Sequence, residues 1–362
     1  MEEELIDWRP DLVIADEAHK IKTHNTAASK AMHKIGARAE YRLLLTGTVI
    51  TNKALDVFSQ YKYLDPSIFG NSFYSFRNRY FDMVGYGGYT PVLKKHMADD
   101  LMARIHSVAV RYTKAECLDL PEMIDIVRYV DLELAALRIY NDLEEESITE
   151  LNGGEVTATN ILTKLLRLSQ ITGGFLTDDE NVKPQLVSMA KLAALAEIIE
   201  TAQEEGQKLV IIARFTAEIH AIERLLEKRA AHDKRVFYYA KIDGSVKERA
   251  EQVDMFQNDP LCNVFIGQIA TAGLGITLTA ASTMAFYSLS YSMSDFEQSR
   301  ARIHRVGQRS NCTYIYLTAR GTVDEKVLKA LRGKADLAKT LIDDYRNGTN
   351  PFQNQETEVQ LQ

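Results

Sequence analysis

Short apolar runs separated by helix-length polar stretches set the pattern of this chain. Leu12-Val13-Ile14-Ala15 is such a run, ends in acids, and predicts a buried parallel strand. Arg42-Leu43-Leu44-Leu45 predicts a second strand, running into Thr46-Gly47-Thr48, and the polar stretch from Asn25 to Ile35 predicts a helix between them. The result is a β-α-β fragment whose acidic and Thr/Gly strand ends share the C-terminal edge of the sheet, where such folds bind ligands. From residue 188 the alternation becomes regular. Leu192, Leu195, Ile198 and Ile199 form a helical stripe, and Glu204-Glu205-Gly206 ends that helix. Strands are then predicted at Leu209–Ala213, Val236–Ala240, Val264–Gly267, Met284–Ser288 and Thr313–Leu317, with helices over 216–230, 246–257, 294–304 and 322–345. This order predicts an α/β fold with a parallel sheet and right-handed crossovers.

Between about 53 and 184 the pattern is different. Aromatic residues crowd Phe69 to Tyr89, and glycines mark a loop at Gly85, Gly87 and Gly88. Such a stretch can stack nucleobases or pack as a satellite core, and packing is the expectation. Helices are predicted near 97–107, 133–150 and 158–171, with a strand over Ile124–Val130; Asn152-Gly153-Gly154 and Gly173-Gly174 read as breakers, and 178–181 as a solvated loop. The expected organisation is a first domain over 1–130, a helical protrusion or linker over 131–187, a second domain over 188–345, and a polar, disordered tail over 346–362.

Composition narrows this only a little. With 46% hydrophobic and 26% charged residues in 362, the chain reads as an ordinary globular protein able to bury two cores. A net charge of −7 argues against a generic polyanion binder, yet leaves room for a local basic groove. Cys117, Cys262 and Cys312 lie far apart without a CxxC pair, so neither a disulfide framework nor a zinc site is expected. The N-terminus lacks the basic and apolar regions of a signal peptide, and no apolar run reaches the ~18 residues of a membrane span. A cytoplasmic location and no membrane partner are therefore expected.

Three places carry chemistry. Asp16-Glu17-Ala18-His19 follows directly on the first strand; an acid there can hold Mg²⁺ through water, and its neighbour can orient or deprotonate an attacking water. Arg302 and Arg305 flank His304 in a segment predicted to be helical, and their guanidinium groups suit the γ-phosphate of a nucleoside triphosphate. A surface basic cluster is the plain alternative, since Arg300 and Arg309 are close by; His304 is expected to be a structural hydrogen-bonder. Gln308 could touch the nucleotide or couple domain movement. Thr271-Ala272-Gly273-Leu274-Gly275-Ile276-Thr277-Leu278 follows a strand and could bring amides and hydroxyls to a phosphate, although a tight β-α turn needs the same glycines. Asp243-Gly244-Ser245 is expected to cap the next helix through Ser245.

Taken in order, these segments resemble the Swi/Snf-related DNA translocases of helicase superfamily two. Asp16-Glu17-Ala18-His19 is similar to the DEAH box. Leu45-Thr46-Gly47-Thr48 with Asn52 resembles the LTGTPxxN motif, and Leu209–Phe215 resembles motif IV. Ile242–Ser245 with Glu248-Arg249, Thr271–Leu278, and Gln298 with Arg302-Ile303-His304-Arg305-Val306-Gly307-Gln308 resemble the later motifs; the last string is the most specific. The resemblance covers about 8–345. It implies two RecA-like lobes, the first incomplete here, with helical insertions between them, closing over ATP and Mg²⁺ and lying on duplex DNA. On that basis Asp16 organises Mg²⁺, Glu17 activates water, and Arg302 and Arg305 act on the phosphates, with Gly275 and Gln308 near the nucleotide. Thr46, Gly47, Thr48, Asp243, Gly244, Thr271, Gly273 and Thr277 would contact DNA or couple it to the nucleotide. Backbone tracking implies sequence-independent, salt-sensitive binding.

The departures are Val49 for the family's proline, Ala301 for an acid and Thr277 for an asparagine, which resemble the phage and annealing-helicase branches; a phage or bacterial host cytosol is the expected setting. No G-x-x-x-x-G-K-[ST] string occurs in the 362 residues, so the lysine and amide nest that cradles the β- and γ-phosphates is not provided by this sequence. The expectation is a translocase portion whose P-loop lies on another polypeptide or segment. The alternative is a DNA-binding or interaction remnant without hydrolysis.

Overall fold

The run Leu12–Ala15 forms strand β1, and Tyr41–Leu44 forms β2, paired in parallel with Leu12 opposite Tyr41 and Ile14 opposite Leu43. The expected helix between them spans Ala27–Gly36 and is capped by Thr26, whose hydroxyl accepts the Ser29 N–H at 3.3 Å. Gly36 is needed for close packing, because a Cβ there would stand 2.7 Å from the Tyr63 ring. Tyr63 in turn donates its hydroxyl to the Val13 carbonyl at 2.9 Å, so helix and strand are locked from one side. The computed structural model describes residues 2–46, 54–84, 90–110, 112, 118–152, 158–176, 184–233, 238–269 and 275–333. It divides into two compact units, Met1–Thr113 and Lys114–Gln362.

In the first unit only one face of the two-stranded sheet is covered, by Val13, Ala15 and Leu44 against Ile21, Met32 and Tyr63. The other face leaves Leu12, Ile14, Tyr41, Leu43 and Leu45 between 45% and 61% exposed. Parallel strands are ordinarily buried on both faces, and among the described residues this pair is covered on one. The aromatic stretch builds a separate core. Phe76, Tyr80 and Phe81 pack with Val57, Phe58, Tyr61, Leu101 and Ile105, while Tyr74 stays exposed. A hairpin of β3 (Phe81–Val84) and β4 (Thr90–Leu93) closes it. The aromatics therefore fill a core, which was the expected use; Tyr86, Tyr89 and the loop glycines lie outside the described residues.

The second unit holds a six-stranded parallel sheet. Its strands are β5 (Met123–Val130), β8 (Leu209–Ala213), β9 (Tyr238–Ile242), β10 (Cys262–Gln268), β11 (Thr283–Phe286) and β12 (Cys312–Ala319), in the order β5-β12-β11-β8-β10-β9. A two-residue pair, β6 (Phe175–Leu176) and β7 (Gln185–Leu186), lies apart from it. Central β8 alternates its side chains between two cores. Val210 and Ile212 face Tyr140, Leu165 and Leu168, whereas Leu209, Ile211 and Ala213 face Leu192, Leu195, Ile219 and Ile222. The layers are thus helix, sheet, helix. The chain switches sides of β8 between β10 and β11, and the crevice outside strand ends at such a switch is where α/β sheets bind ligands.

Some boundaries differ from the sequence reading. Met123–Val130 was expected with the first domain, yet it pairs with β12 over eight positions. The helices Leu134–Asn152 and Ala158–Thr172, expected as a protrusion or linker, bury Tyr140, Ile161, Leu165, Leu168 and Ile171 against that same sheet. The helix expected over 246–257 starts at Arg249, and the one expected over 294–304 is Met293–Arg300. The strand expected over Val236–Ala240 is described over Tyr238–Ile242, and Val236 and Phe237 lie outside the described residues. The last described helix is Val323–Arg332, and residues 334–362 lie outside the described residues.

Candidate functional site

At the end of β1 the backbone does something unusual. Glu17 has φ 51° and ψ 46°, a left-handed conformation that a side chain with a Cβ seldom adopts. Hydrogen bonds hold it there: Ala18 N–H donates to the Leu45 carbonyl at 3.0 Å, Lys20 N–H to the Glu17 carbonyl at 2.9 Å, and Glu17 N–H to Asp16 Oδ1 at 2.7 Å. The Ala18 bond ties the acid turn to the chain directly before Thr46. Asp16 is exposed; Glu17 Oε2 lies 3.1 Å from His19 Nδ1. Thr46 is half-buried at the end of this crosslink, and Gly47 and Thr48 lie outside the described residues. Among the described residues no cluster of three or more His, Cys, Asp or Glu could hold a metal by itself.

In the second unit Arg302 and Arg305 are not helical. The Met293–Arg300 helix tightens at its end, with Arg302 N–H donating to Ser299 at 3.0 Å, and the chain folds back to bury Ile303 completely. The Arg302 carbonyl then accepts Leu278 N–H at 2.9 Å. The guanidinium Nη1 atoms of Arg302 and Arg305 approach the Ile276 carbonyl at 3.5 and 3.3 Å, and Arg305 also approaches Gly275 at 3.5 Å. These are long contacts for hydrogen bonds. Both arginines thus meet the loop that follows β10. Of that loop Gly275, with φ 71°, and half-buried Thr277 are described, and Thr271 and Gly273 lie outside the described residues.

Gln308 and Ser245 are both engaged within the fold. Gln308, expected at the nucleotide or in domain movement, donates to the carbonyls of Ala281 (2.8 Å) and Ile303 (3.2 Å) and accepts from the amides of Arg309 and Ser310. Its amide closes the turn. Ser245, expected as a helix cap, instead bonds Asp243 Oδ1 through both its hydroxyl and its N–H, at 2.5 and 2.8 Å. Burial would raise the Asp243 carboxyl, but Ser245 and Lys241 outweigh it and hold Asp243 below the usual carboxylate range. Gly244 N–H donates to Gln268 at 3.3 Å, and Gln268 Nε2 donates to the Arg214 carbonyl at the same distance. One amide thereby links the ends of β8, β9 and β10.

A buried polar junction was missed by sequence reasoning. Glu218 is fully buried, and its Oε2 accepts from Ser288 Oγ at 2.5 Å and from the Arg214 and Phe215 amides at 3.1 Å each. Its Oε1 has no hydrogen-bond partner among the described residues, and occupies the space a Cβ on Gly173 would fill. Tyr287 donates to the Gly173 carbonyl at 2.9 Å, and Lys191 pairs with Asp324 at 2.6 Å nearby. Burial pushes Glu218 up to about 7, against the opposing pull of Ser288, the Phe215 amide, the Lys191 charge and the Arg214 amide. The Gly173-Gly174 doublet was the available signal, read from sequence only as a breaker.

A family model for the SNF2-related domain matches residues 2–173, and one for the helicase conserved C-terminal domain matches 190–307. The chain therefore matches an SNF2-related domain followed by a helicase C-terminal domain. An uncharacterized ATP-dependent helicase of Mycoplasma pneumoniae is 27% identical over 341 residues, covering 92% of this chain and 31% of the relative. The DNA annealing helicase and endonuclease ZRANB3 of Homo sapiens is 28% identical over 345 residues, covering 92% and 30%. The chain spans about a third of the length of the curated relatives it matches. Among solved structures, the Sulfolobus solfataricus SWI2/SNF2 ATPase core in complex with dsDNA is 26% identical, covers 96% of this chain and 73% of its own, and superposes with a TM-score of 0.49.

Proposed function

We propose that this chain supplies the greater part of an ATP-driven motor that moves along duplex DNA without reading its sequence. The observations that support the reading are the acid turn at the end of β1 and the pair of arginines at the loop after β10. Glu17 is held in a costly left-handed turn beside Asp16, and Arg302 and Arg305 stand together at the β10 loop, their guanidinium groups 3.5 and 3.3 Å from the Ile276 carbonyl. A fold kept for binding alone has no physical need for either. In this reading Asp16 holds Mg²⁺ through water, and the ion, when bound, neutralises phosphate charge. Glu17 orients or accepts a proton from the attacking water, with His19 fixing its carboxylate. Arg302 and Arg305 leave the Ile276 carbonyl for the γ-phosphate, a contribution typically worth ~10³–10⁵ in rate.

The P-loop would come from a polypeptide segment outside these residues. The bare face of β1 and β2 supports that, since a strand and helix laid on Leu12, Ile14, Tyr41, Leu43 and Leu45 would complete the layer. Charge supports a DNA contact in the first unit: Met1–Thr113 carries 15 Lys and Arg against 13 Asp and Glu, although the chain as a whole carries −7. The direct test is ATP hydrolysis with and without linear duplex DNA, alone and with a P-loop-bearing segment added. DNA-stimulated turnover that needs the added segment and is abolished in Glu17→Gln supports the reading. ATP-indifferent DNA binding with no turnover under any condition would support a non-hydrolysing remnant instead.

A further inference from the structure

Past the acid turn the first unit is basic. Residues 18–113 carry 14 Lys and Arg against six Asp and Glu, although the chain as a whole carries −7. Carboxylates of that stretch are engaged by the fold: Asp65 accepts the Ser67 amide at 2.8 Å, and Asp100 accepts from the Tyr80 hydroxyl, Arg79 and Arg104 at 2.7, 3.3 and 3.1 Å. Three cations have none. Lys30, on the helix Ala27–Gly36, is exposed, and Lys62, in the helix Val57–Leu64, donates to the Asn71 carbonyl at 3.1 Å. Arg77, in the helix Phe73–Tyr80, reaches only Asn78 Oδ1, through Nε and Nη2 at 3.4 Å each. Among the described residues none of the three has an ion pair. They share one surface. The His24 ring stacks on Phe73 at 3.9 Å, Phe73 meets the Tyr74 ring at 5.8 Å, and the Arg77 guanidinium lies over Tyr74, 5.1 Å from its centroid. Burial first, and then the charges of Lys62 and Lys30, hold His24 below the usual histidine range, which places both lysines beside it. Tyr74 is 65% exposed, whereas Phe76 and Tyr80 of the same helix are buried.

We propose that the surface formed by Lys30, Lys62, Tyr74 and Arg77 is a contact site for the phosphate backbone of duplex DNA, built from residues outside every motif segment of this chain. It rests on the reading that the chain lies on duplex DNA, and it names one place where it does so. Like charges gathered on one surface repel each other, and a counter-charge from a ligand relieves that repulsion where the protein supplies no carboxylate. A duplex presents one negative charge per ~1.7 Å of its axis, so three neighbouring cations match successive phosphates and displace their counterions. The Tyr74 ring steadies the Arg77 guanidinium, whose Nη1 has no partner among the described residues and is free to bond a phosphate oxygen. The Tyr74 hydroxyl can donate to the same backbone. Contacts of this kind carry no base recognition, which suits movement along any sequence.

The test uses the full chain and linear duplexes of two unrelated sequences, with affinity followed by fluorescence anisotropy between about 50 and 200 mM salt. Wild type is compared with a neutral variant (Lys30→Gln, Lys62→Gln, Arg77→Gln) and a charge-keeping variant (Lys30→Arg, Lys62→Arg, Arg77→Lys). A control removes two exposed cations of the second unit, Arg224→Gln with Lys228→Gln. The expected result is a slope of log affinity against log salt that is shallower by about 2–3 in the neutral variant, at roughly 0.9 per phosphate contact. Both sequences should show it alike, and the charge-keeping variant and the control should stay near the wild-type slope. An unchanged slope in the neutral variant overturns the proposal. So does an equal change per charge in the control, a slope that the charge-keeping variant fails to restore, or a wild type that binds neither duplex. The motor reading fails separately. Wild type that binds DNA through this surface, yet hydrolyses no ATP with a P-loop-bearing segment added, would sink the motor and leave the contact standing. DNA-stimulated turnover with an unchanged slope in the neutral variant would do the reverse.

Discussion

Glu218→Gln should remove a pH dependence that one buried carboxyl imposes on the second unit. In the folded chain this carboxyl sits at about 7, raised from 4.5 by burial against the bonds and charge that oppose it. Below 4.5 both folded and unfolded states hold the proton, and the group has no differential effect. Between 4.5 and 7 the folded state binds more protons than the unfolded one, so stability falls as pH rises. Above 7 the loss is complete, amounting to about 3 kcal/mol at 1.4 kcal/mol per unit. The side chain is wholly buried, so solvent screening does not discount this figure. Urea unfolding, followed by a probe in the second unit, would be measured for wild type and Glu218→Gln from pH 5 to 8. The variant cannot ionise. Relative to it, the wild type should lose about 2–3 kcal/mol between pH 5 and pH 8. Parallel pH profiles would refute the reasoning and mean that Glu218 is ionised throughout or reached by water.

Gly173→Ala places a methyl where Glu218 Oε1 lies, and should cost about 1–3 kcal/mol of overpacking, seen as a lower urea midpoint; an unchanged midpoint would mean the slot is not filled. Ile14→Lys with Leu43→Glu on the bare sheet face should alter the stability of the chain alone by less than about 0.5 kcal/mol, while preventing capture of a P-loop-bearing segment in a pull-down. Duplex DNA binding should weaken steeply between 50 and 200 mM salt, roughly tenfold or more if several phosphates are neutralised, and equally for unrelated sequences; a salt-independent affinity would argue against backbone contacts.

How much of this was legible in the sequence depended on the kind of information. Strand β8 coincides with its predicted Leu209–Ala213, because a five-residue apolar run between a glycine-ended helix and a polar stretch has few other solutions. The acid turn was placed at a strand end and the arginines in a helical segment, and the structure brings Arg302 and Arg305 out of the helix to Gly275 and Ile276. Long-range pairing was not legible. Met123–Val130 alternates like any half-exposed strand, and nothing local shows that its partner is β12, nearly two hundred residues later. Helix ends were misjudged where tertiary bonds override local preference, as when the Leu278 amide takes the Arg302 carbonyl and folds the chain back after Arg300. Side-chain duty was hidden too. Gln308 and Ser245 have polar side chains that could serve a ligand, but neighbouring carbonyls engage the first and the Asp243 carboxylate the second.

The central claim is that this chain, completed by a P-loop, moves along duplex DNA at the expense of ATP. Displacement of a third strand from a DNA triplex by the completed protein tests it most directly, since release requires travel along the duplex and needs no unwinding. The account predicts ATP-dependent displacement from any flanking sequence, lost in both Glu17→Gln and Arg305→Ala. Displacement that persists in those variants, or ATP turnover without any displacement, would contradict it.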